Sequence, residues 1–79
     1  MYYVYTLKSK IADQVYTGFT TNLDKRLKEH NSGKSVHTNK FRPWDMVTAI
    51  RFGDKQKARD FEKYLKTGSG IAFSRKHFL

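Results

Sequence analysis

The chain has 79 residues, a length that allows one small domain, expected over residues 1–79. Lysine and arginine number 16 and aspartate and glutamate 7, so the formal net charge is +9. Because a small domain this basic favours a polyanionic partner, we expect nucleic acid first, and a solvated basic surface is the alternative. The lack of cysteine excludes disulfides, thiolate metal sites and cysteine nucleophiles, and the lack of an apolar run of signal or membrane-spanning length makes a soluble cytoplasmic protein with no membrane partner the simplest expectation.

Two segments near the N-terminus have the composition of β-strands. Residues 2–8 are dense in aromatic and β-branched types, and residues 15–19 follow after a polar connection short enough for antiparallel pairing. Side-chain alternation places Tyr3 and Tyr5 on one face of the first strand. Gly18, near the end of the second strand, would let another group approach the backbone closely.

A helix is predicted directly after the second strand. Asn22 is a good N-cap, and Gly33 can end the helix at its C-terminal side. At about 100° per residue, Arg26 and His30 fall in the same arc as the two leucines of this helix. We therefore expect a cation and an imidazole on the inward side or at the rim.

The second half of the chain begins with a basic loop, residues 34–43, that contains no acid. Its candidate phosphate-contacting residues are Lys34, His37, Lys40 and Arg42. A third strand is predicted over 44–52. A second helix follows over roughly 55–66 with Asp54 as its cap, and a last helix over roughly 70–77 with Ser69 as its cap.

Glu62 lies within or beside the apolar stripe of the second helix. It joins Arg26 and His30 as a third inward-leaning polar group, and such groups are costly unless they are paired or used. One interpretation is an Arg26–Glu62 ion pair that ties the two helices together. The other is a phosphodiester-cleaving centre, in which Glu62 holds a divalent ion, Arg26 stabilises phosphate charge, and Tyr5 or His30 moves protons.

Other catalytic schemes have less support. The serines lack a nucleophile motif, and there is no Walker-type loop or Rossmann glycine pattern. The three histidines, His30, His37 and His77, lack the spacing of metal ligands.

The ordered motifs resemble those of the GIY-YIG nucleases, specifically the small stand-alone members related to the N-terminal domain of the excinuclease UvrC. Tyr3-Val4-Tyr5 stands where that family has Gly-Ile-Tyr, and Tyr16-Thr17-Gly18 where it has Tyr-Ile-Gly. The segments 22–31, 42–44 and 58–70 also match the stand-alone type. The resemblance runs over essentially the whole chain.

The resemblance implies an α+β fold in which a three-stranded antiparallel sheet is flanked by helices, in the order β-β-α-β-α-α. It implies DNA phosphodiester hydrolysis with a single divalent metal, Mg²⁺ first and Mn²⁺ second. By position, Tyr5 is similar to the tyrosine that activates water, Arg26 to the phosphate-binding arginine and Glu62 to the metal-holding glutamate. Tyr16 is similar to the second motif tyrosine, and His30 to a proton-transfer or phosphate-contacting residue of some relatives.

Three features separate this chain from the family pattern. Tyr3 replaces the first motif glycine, and Thr17 replaces the isoleucine of the second motif. Phe19 and Thr20 stand where some relatives have a lysine, so that any role of the lysine falls to His30 or is lost. An ordinary phenol has a pKa of about 10, so Tyr5 needs neighbouring positive charge to act as a base near neutrality.

Two functions other than an endonuclease stay open at this point. The chain could be a nucleic-acid-binding module without catalysis, using the basic loop and surface tyrosines. It could also be a structural or protein-interaction domain, which the net charge of +9 disfavours. For an enzyme this small we expect weak sequence preference, with specificity for DNA structure or dependence on a protein partner. The resemblance alone suggests a part in DNA repair or recombination.

Overall fold

The computed structural model describes residues 1–79 and has an α+β architecture. Three antiparallel strands form one sheet in the order β2-β1-β3: β1 (Tyr2–Ser9), β2 (Val15–Thr20) and β3 (Trp44–Phe52). The helices are α1 (Leu23–Ser32), α2 (Lys55–Leu65) and α3 (Gly68–His77), and a short 3₁₀ turn spans Asn39–Phe41. The predicted order of elements is therefore confirmed. No helix combines the length and the apolar character that a membrane crossing requires.

The central strand β1 places Tyr5 in the middle of the sheet. Tyr5 is paired with Gly18 of β2 on one side and with Ala49 of β3 on the other. At the last residue of β1, the hydroxyl of Ser9 accepts hydrogen bonds from the amides of the next turn and donates to the carbonyl of Phe41 at 2.6 Å. The hydroxyl of this buried serine is therefore used entirely in holding the β1–β2 turn against the 3₁₀ turn.

Helix α1 has the predicted caps at both ends. The side chain of Asn22 accepts a hydrogen bond from the amide of Lys25 at 3.1 Å, which satisfies one of the free N–H groups of the first turn. Gly33 ends the helix with φ at +85°, a left-handed conformation that costs glycine little. A β-carbon at Gly33 would overlap the guanidinium of Arg42, so the loop after α1 folds back over the end of this helix.

The helices cover the two faces of the sheet. On one face Val4 packs with Ala58 and Leu65 of α2, and aromatic side chains of α2 and α3 surround them. On the other face Tyr5 packs with Trp44 and the leucines of α1. Because neighbouring residues of a strand point to opposite faces, Val4 and Tyr5 separate the two parts of the core.

The cap predicted for the last helix is wrong. Thr67, not Ser69, caps α3: its backbone is extended, and its hydroxyl accepts a hydrogen bond from the amide of Gly70 at 3.1 Å. The helix begins at Gly68, so Ser69 already lies in its first turn. Both residues are good capping types, and the residue with extended geometry immediately before the first helical turn takes that role.

Candidate active site

Tyr5, Arg26 and His30 meet around one oxygen atom. The hydroxyl oxygen of Tyr5 lies 2.8 Å from His30 Nε2, and Arg26 Nε donates a hydrogen bond to it at 3.3 Å. Tyr5 is 1% exposed and His30 is fully buried. The helical spacing that predicted an inward cation and imidazole on α1 is confirmed by this contact with β1.

The second motif of the chain supplies the space and the walls for this cluster. The ring of Tyr16 lies 4.9 Å from that of His30 and 6.2 Å from that of Tyr5, centroid to centroid. A β-carbon at Gly18 would overlap the Tyr5 hydroxyl and press on the Tyr16 ring. Gly18 is therefore required because the phenol of its cross-strand partner lies over its backbone.

Thr38 holds the other side of the imidazole, and sequence reasoning missed it. Its hydroxyl lies 2.7 Å from His30 Nδ1, and Thr38 is 1% exposed. Trp44 Nε1 donates to the carbonyl of Thr38 at 2.9 Å, and the amide of Asn31 also binds the backbone of Trp44. The sequence gives no signal for this contact, because Thr38 lies among loop residues without periodicity.

The phenol of Tyr5 is neutral at pH 7. Its pKa is raised to about 12, chiefly by burial; the hydrogen bond from Arg26 opposes this rise, and the nearby charge of Glu62 contributes to it. Because this pKa is above the ordinary value of a phenol, Tyr5 needs even more neighbouring positive charge to act as a base than the sequence alone suggests. Arg26 supplies some of that charge, and burial has the larger effect.

His30 is also neutral at pH 7, while Arg26 is charged. Burial lowers the pKa of His30 to about 4, and the charge of Arg26 acts in the same direction. Burial of Arg26 favours its neutral form, yet its hydrogen bonds to Tyr5 and Glu29 keep its pKa above the ordinary value. Arg26 also forms an ion pair with Glu29 at 3.1 Å. The cluster thus holds a fixed cation beside two neutral, proton-bearing groups.

Glu62 lies on α2 and makes no direct contact with this cluster. Its carboxylate is paired with Arg59 at 3.3 Å and with Lys66 at 3.2 Å, and its side chain is 14% exposed. The predicted Arg26–Glu62 ion pair is therefore wrong. Arg26 pairs with Glu29 of its own helix, and Glu62 pairs with cations in or directly after α2. The two residues do not pair with each other because α1 and α2 cover opposite faces of the sheet.

Comparison with known proteins bears directly on this arrangement. The family model of the GIY-YIG catalytic domain matches residues 1–71. The chain belongs to the GIY-YIG family. A UPF0213 protein of Clostridium perfringens is 42% identical over 67 residues, which cover 84% of this chain and 71% of that protein. One of Staphylococcus haemolyticus is 39% identical over 69 residues, covering 86% and 83%.

A solved structure of the same group confirms the predicted fold. The solution NMR structure of a UPF0213 protein from Bacillus halodurans superposes with a TM-score of 0.59 at 32% identity, covering 96% of this chain and 84% of that one. The GIY-YIG family is a nuclease family, and its members generally use a divalent metal. Whether this chain could hold such an ion depends on the type and placement of its oxygen-bearing and nitrogen-bearing side chains.

The residues fit a metal site that depends on the substrate, and they do not fit a preformed cage. No group of three or more histidines, cysteines, aspartates or glutamates is placed to hold an ion. Mg²⁺, however, commonly keeps several waters and is bound by one or two carboxylates together with substrate phosphates. Glu62 can supply that one carboxylate, since Arg59 and Lys66 fix its orientation and its charge reaches the Tyr5 hydroxyl.

The basic loop lies beside the site and does not enter it. Its four candidate nucleic-acid-binding residues are exposed and make no contact with Tyr5: Lys34, His37, Lys40 and Arg42. The guanidinium of Arg42 lies against Gly33, and Lys40 lies over the ring of Phe41. Thr38 connects this loop to His30, so the basic surface and the buried cluster are neighbours. The role of the loop in binding nucleic acid stays a prediction.

Proposed function

We propose that this protein is a metal-dependent endonuclease that hydrolyses DNA phosphodiester bonds, with residues 1–79 acting as one catalytic domain. The observation that supports this most is the shared oxygen of Tyr5, which a fixed cation and an imidazole contact in a buried cluster of a GIY-YIG chain. The hydroxyl of Tyr5 satisfies the buried Nε2 of His30, and it also brings a proton-bearing oxygen next to a fixed cation, as phosphodiester cleavage requires.

Arg26 is the phosphate-binding group in this proposal. Glu29 and Tyr5 hold its guanidinium in place, and a third of its side chain is exposed to an approaching phosphate. A cation fixed in advance stabilises the charge that develops on the phosphate oxygens without having to reorient during the reaction. Its ion pair with Glu29 restrains the position of the guanidinium.

Tyr5 positions the attacking water. A neutral phenol cannot act as a base, so Tyr5 takes the proton of that water only after releasing its own proton to solvent, which neighbouring positive charge favours. His30 does not ionise Tyr5, because moving a proton from a group with a pKa of about 12 to one with a pKa of about 4 costs on the order of 10 kcal/mol. His30 instead holds the Tyr5 oxygen in place. Glu62 would hold the metal ion, Mg²⁺ first and Mn²⁺ second, and that ion supplies positive charge at the scissile phosphate.

A nicking assay tests this proposal. Supercoiled plasmid and a panel of branched DNAs are incubated with Mg²⁺ or Mn²⁺ and with wild type, Glu62→Ala or Asp60→Ala. Asp60→Ala is the matched control, because it also removes one carboxylate from α2. We expect wild type and Asp60→Ala to nick in a metal-dependent manner, and Glu62→Ala to be slower by about 100-fold or more. Full cleavage by purified Glu62→Ala would contradict the assignment of Glu62.

The second candidate is a nucleic-acid-binding module without catalysis. Two observations favour it. Both carboxylate oxygens of Glu62 are already paired with cations, and the high pKa of Tyr5 keeps its phenol protonated, so neither residue is in the form that catalysis needs. It predicts salt-sensitive binding of DNA by all three proteins and cleavage by none. We also propose that recognition depends on DNA structure or on a protein partner, because so small a chain leaves little surface for reading sequence.

A further inference from the structure

Strand β2 forms one edge of the sheet, so one side of its backbone has no neighbouring strand. The amide of Ser9 donates to the carbonyl of Gln14 at 3.0 Å, and from Tyr16 onward every second residue of β2 therefore bonds to β1. The residues between these direct their N–H and C=O groups away from the sheet: Val15, Thr17 and Phe19. No turn or loop of the chain supplies a backbone partner for them.

A groove lies between this edge of the sheet and α3. Its volume is about 700 Å³, within the range of protein sites that enclose a ligand. Val15 of β2, Ile71 of α3 and Leu79 line it and are 41%, 47% and 50% exposed. Aliphatic side chains thus remain open to solvent directly beside the free backbone of Thr17, which also lines the groove.

The polar residues of the groove indicate an acidic occupant. Asp13, the one acidic side chain that lines it, is paired with Lys8 at 3.3 Å. Arg75 has no carboxylate within ion-pair distance, and its helix contains no acid. Ser74 beside it is 6% exposed, and its hydroxyl is the only buried side-chain polar atom without a hydrogen-bond partner, which is unfavourable. The free protein therefore leaves a cation and a hydroxyl of this wall uncompensated.

We propose that the groove is the docking site of a partner protein, which adds an extended acidic segment to the free edge of β2. The inference goes beyond the nuclease proposal and does not depend on it. Main-chain hydrogen bonds to Val15, Thr17 and Phe19 hold the segment, and its alternate side chains enter the groove. Those side chains are aliphatic where they meet Ile71 and acidic where they meet Arg75.

The lining favours a peptide over a strand of nucleic acid. Single-stranded nucleic acids are held by aromatic side chains that stack on the bases and by cations along the phosphates. Tyr16 is the one aromatic residue that lines the groove, whereas several aliphatic residues do. A free strand edge offers regularly spaced donors and acceptors, which match another extended backbone.

Selection from a library of random peptides displayed on phage provides the probe. Peptides enriched on immobilised wild type are synthesised and titrated into ¹⁵N-labelled protein. We expect the enriched sequences to alternate aliphatic with acidic residues. The amide signals of Val15, Thr17 and Phe19 should shift, and these amides should exchange more slowly with solvent. No enrichment, or shifts confined to another surface, would overturn the proposal.

Two pairs of variants test the two kinds of contact. Thr17→Pro removes an N–H at a sheet edge, where proline is tolerated, and Thr17→Val retains it. We expect Thr17→Pro to weaken peptide binding by about 10-fold and Thr17→Val to stay within about 2-fold of wild type. Arg75→Gln should weaken binding by about 5-fold, whereas Lys76→Gln, which removes the same charge outside the groove, should have little effect. Equal affinities of Arg75→Gln and Lys76→Gln would overturn the proposal even if Thr17→Pro does not fold.

Competition and dilution identify other occupants. A short single-stranded DNA that displaced the peptide and shifted the same amides would assign the groove to the nucleic-acid interface. Shifts of these amides that depend on protein concentration without peptide would show that a second copy of the chain covers the edge. Either result would overturn the proposal, and neither bears on whether wild type cuts DNA.

Discussion

Buried polar side chains are the most informative residues of this molecule. His30 is fully buried and neutral at pH 7, with its ring between Tyr5 and Thr38, and it is faced by the charged groups Arg26 and Glu29. An imidazole so enclosed can gain a proton only at the cost of placing a charge in the interior next to an arginine. Its protonation is therefore linked to unfolding.

This linkage predicts a specific loss of stability in acid. The pKa of His30 is about 4 in the folded protein, below its ordinary value of 6.5, so the unfolded state binds more protons between these two values. The stabilising contribution is complete above pH 6.5 and is lost as the pH falls toward 4. Between pH 7 and pH 4, wild type should lose about 3 kcal/mol more free energy of unfolding than His30→Gln.

Urea unfolding followed by circular dichroism at half-unit pH steps measures this difference. All other titratable groups are the same in the two proteins, so their effects cancel in the comparison. Parallel pH profiles of the two proteins would show that His30 is protonated in the folded state at mild acidity, in conflict with its burial.

Helix periodicity could predict which residues of the site point inward, and it could not predict what they meet. Arg26 and His30 followed from spacing on α1, and both contact Tyr5 as the inward arc requires. The ion pair between Arg26 and Glu62 was wrong because periodicity does not say which face of a sheet a helix covers. Thr38 was missed because loop conformation brings it to His30, and no repeating pattern records that conformation.

At the scale of elements, α2 and α3 meet at Gly70 without any side chain between them. A β-carbon at Gly70 would overlap the carbonyl oxygen of Tyr64 and crowd the backbone of Leu65. Neither obstacle is a flexible side-chain end, so the two helices would have to separate. Gly68, two residues earlier in α3, has open space around its β position.

The pair of glycines gives a matched prediction. Gly70→Ala should destabilise the protein by about 1–3 kcal/mol, the usual cost of forcing extra volume into a packed contact. Gly68→Ala should leave stability unchanged or raise it by about 0.5 kcal/mol, because alanine is the better helix former. Thermal unfolding of both variants beside wild type provides the measurement. Equal melting temperatures for the two variants would show that the contact between α2 and α3 yields easily.

Boundaries of elements were predictable where the capping residue directly precedes the first apolar residue of the helix. Asn22 and Gly33 frame α1 as the sequence indicates, although Thr21 beside Asn22 is also a capping type. Near α3, Thr67 and Ser69 are both good caps, and choosing between them requires the backbone conformation of the turn, which depends on how α3 packs against α2. Local chemistry defines the candidates, and tertiary packing selects one of them.

At the scale of the whole molecule, the basic residues behind the net charge of +9 fall into groups that lie at different places relative to the candidate site. The basic loop between α1 and β3 is joined to the buried cluster through Thr38, and its Lys34 and Lys40 side chains are exposed. Lysines of α2 such as Lys55 and Lys57 are equally exposed, and they belong to the helix on the opposite face of the sheet. If charge alone attracted DNA, both groups would contribute equally to binding.

Salt dependence distinguishes a specific interface from general attraction. Each phosphate contact adds about 0.9 to the slope of log affinity against log salt for duplex DNA. Replacing Lys34 and Lys40 together by glutamine should therefore reduce the slope by about 2, whereas the same change at Lys55 and Lys57 should leave it nearly unchanged. Fluorescence anisotropy with a labelled duplex between 50 and 300 mM salt, in chelator to prevent cleavage, measures both slopes. Equal reductions in the two double variants would mean that DNA has no preferred orientation on the protein, and an intact slope in the loop variant would exclude the loop as the interface.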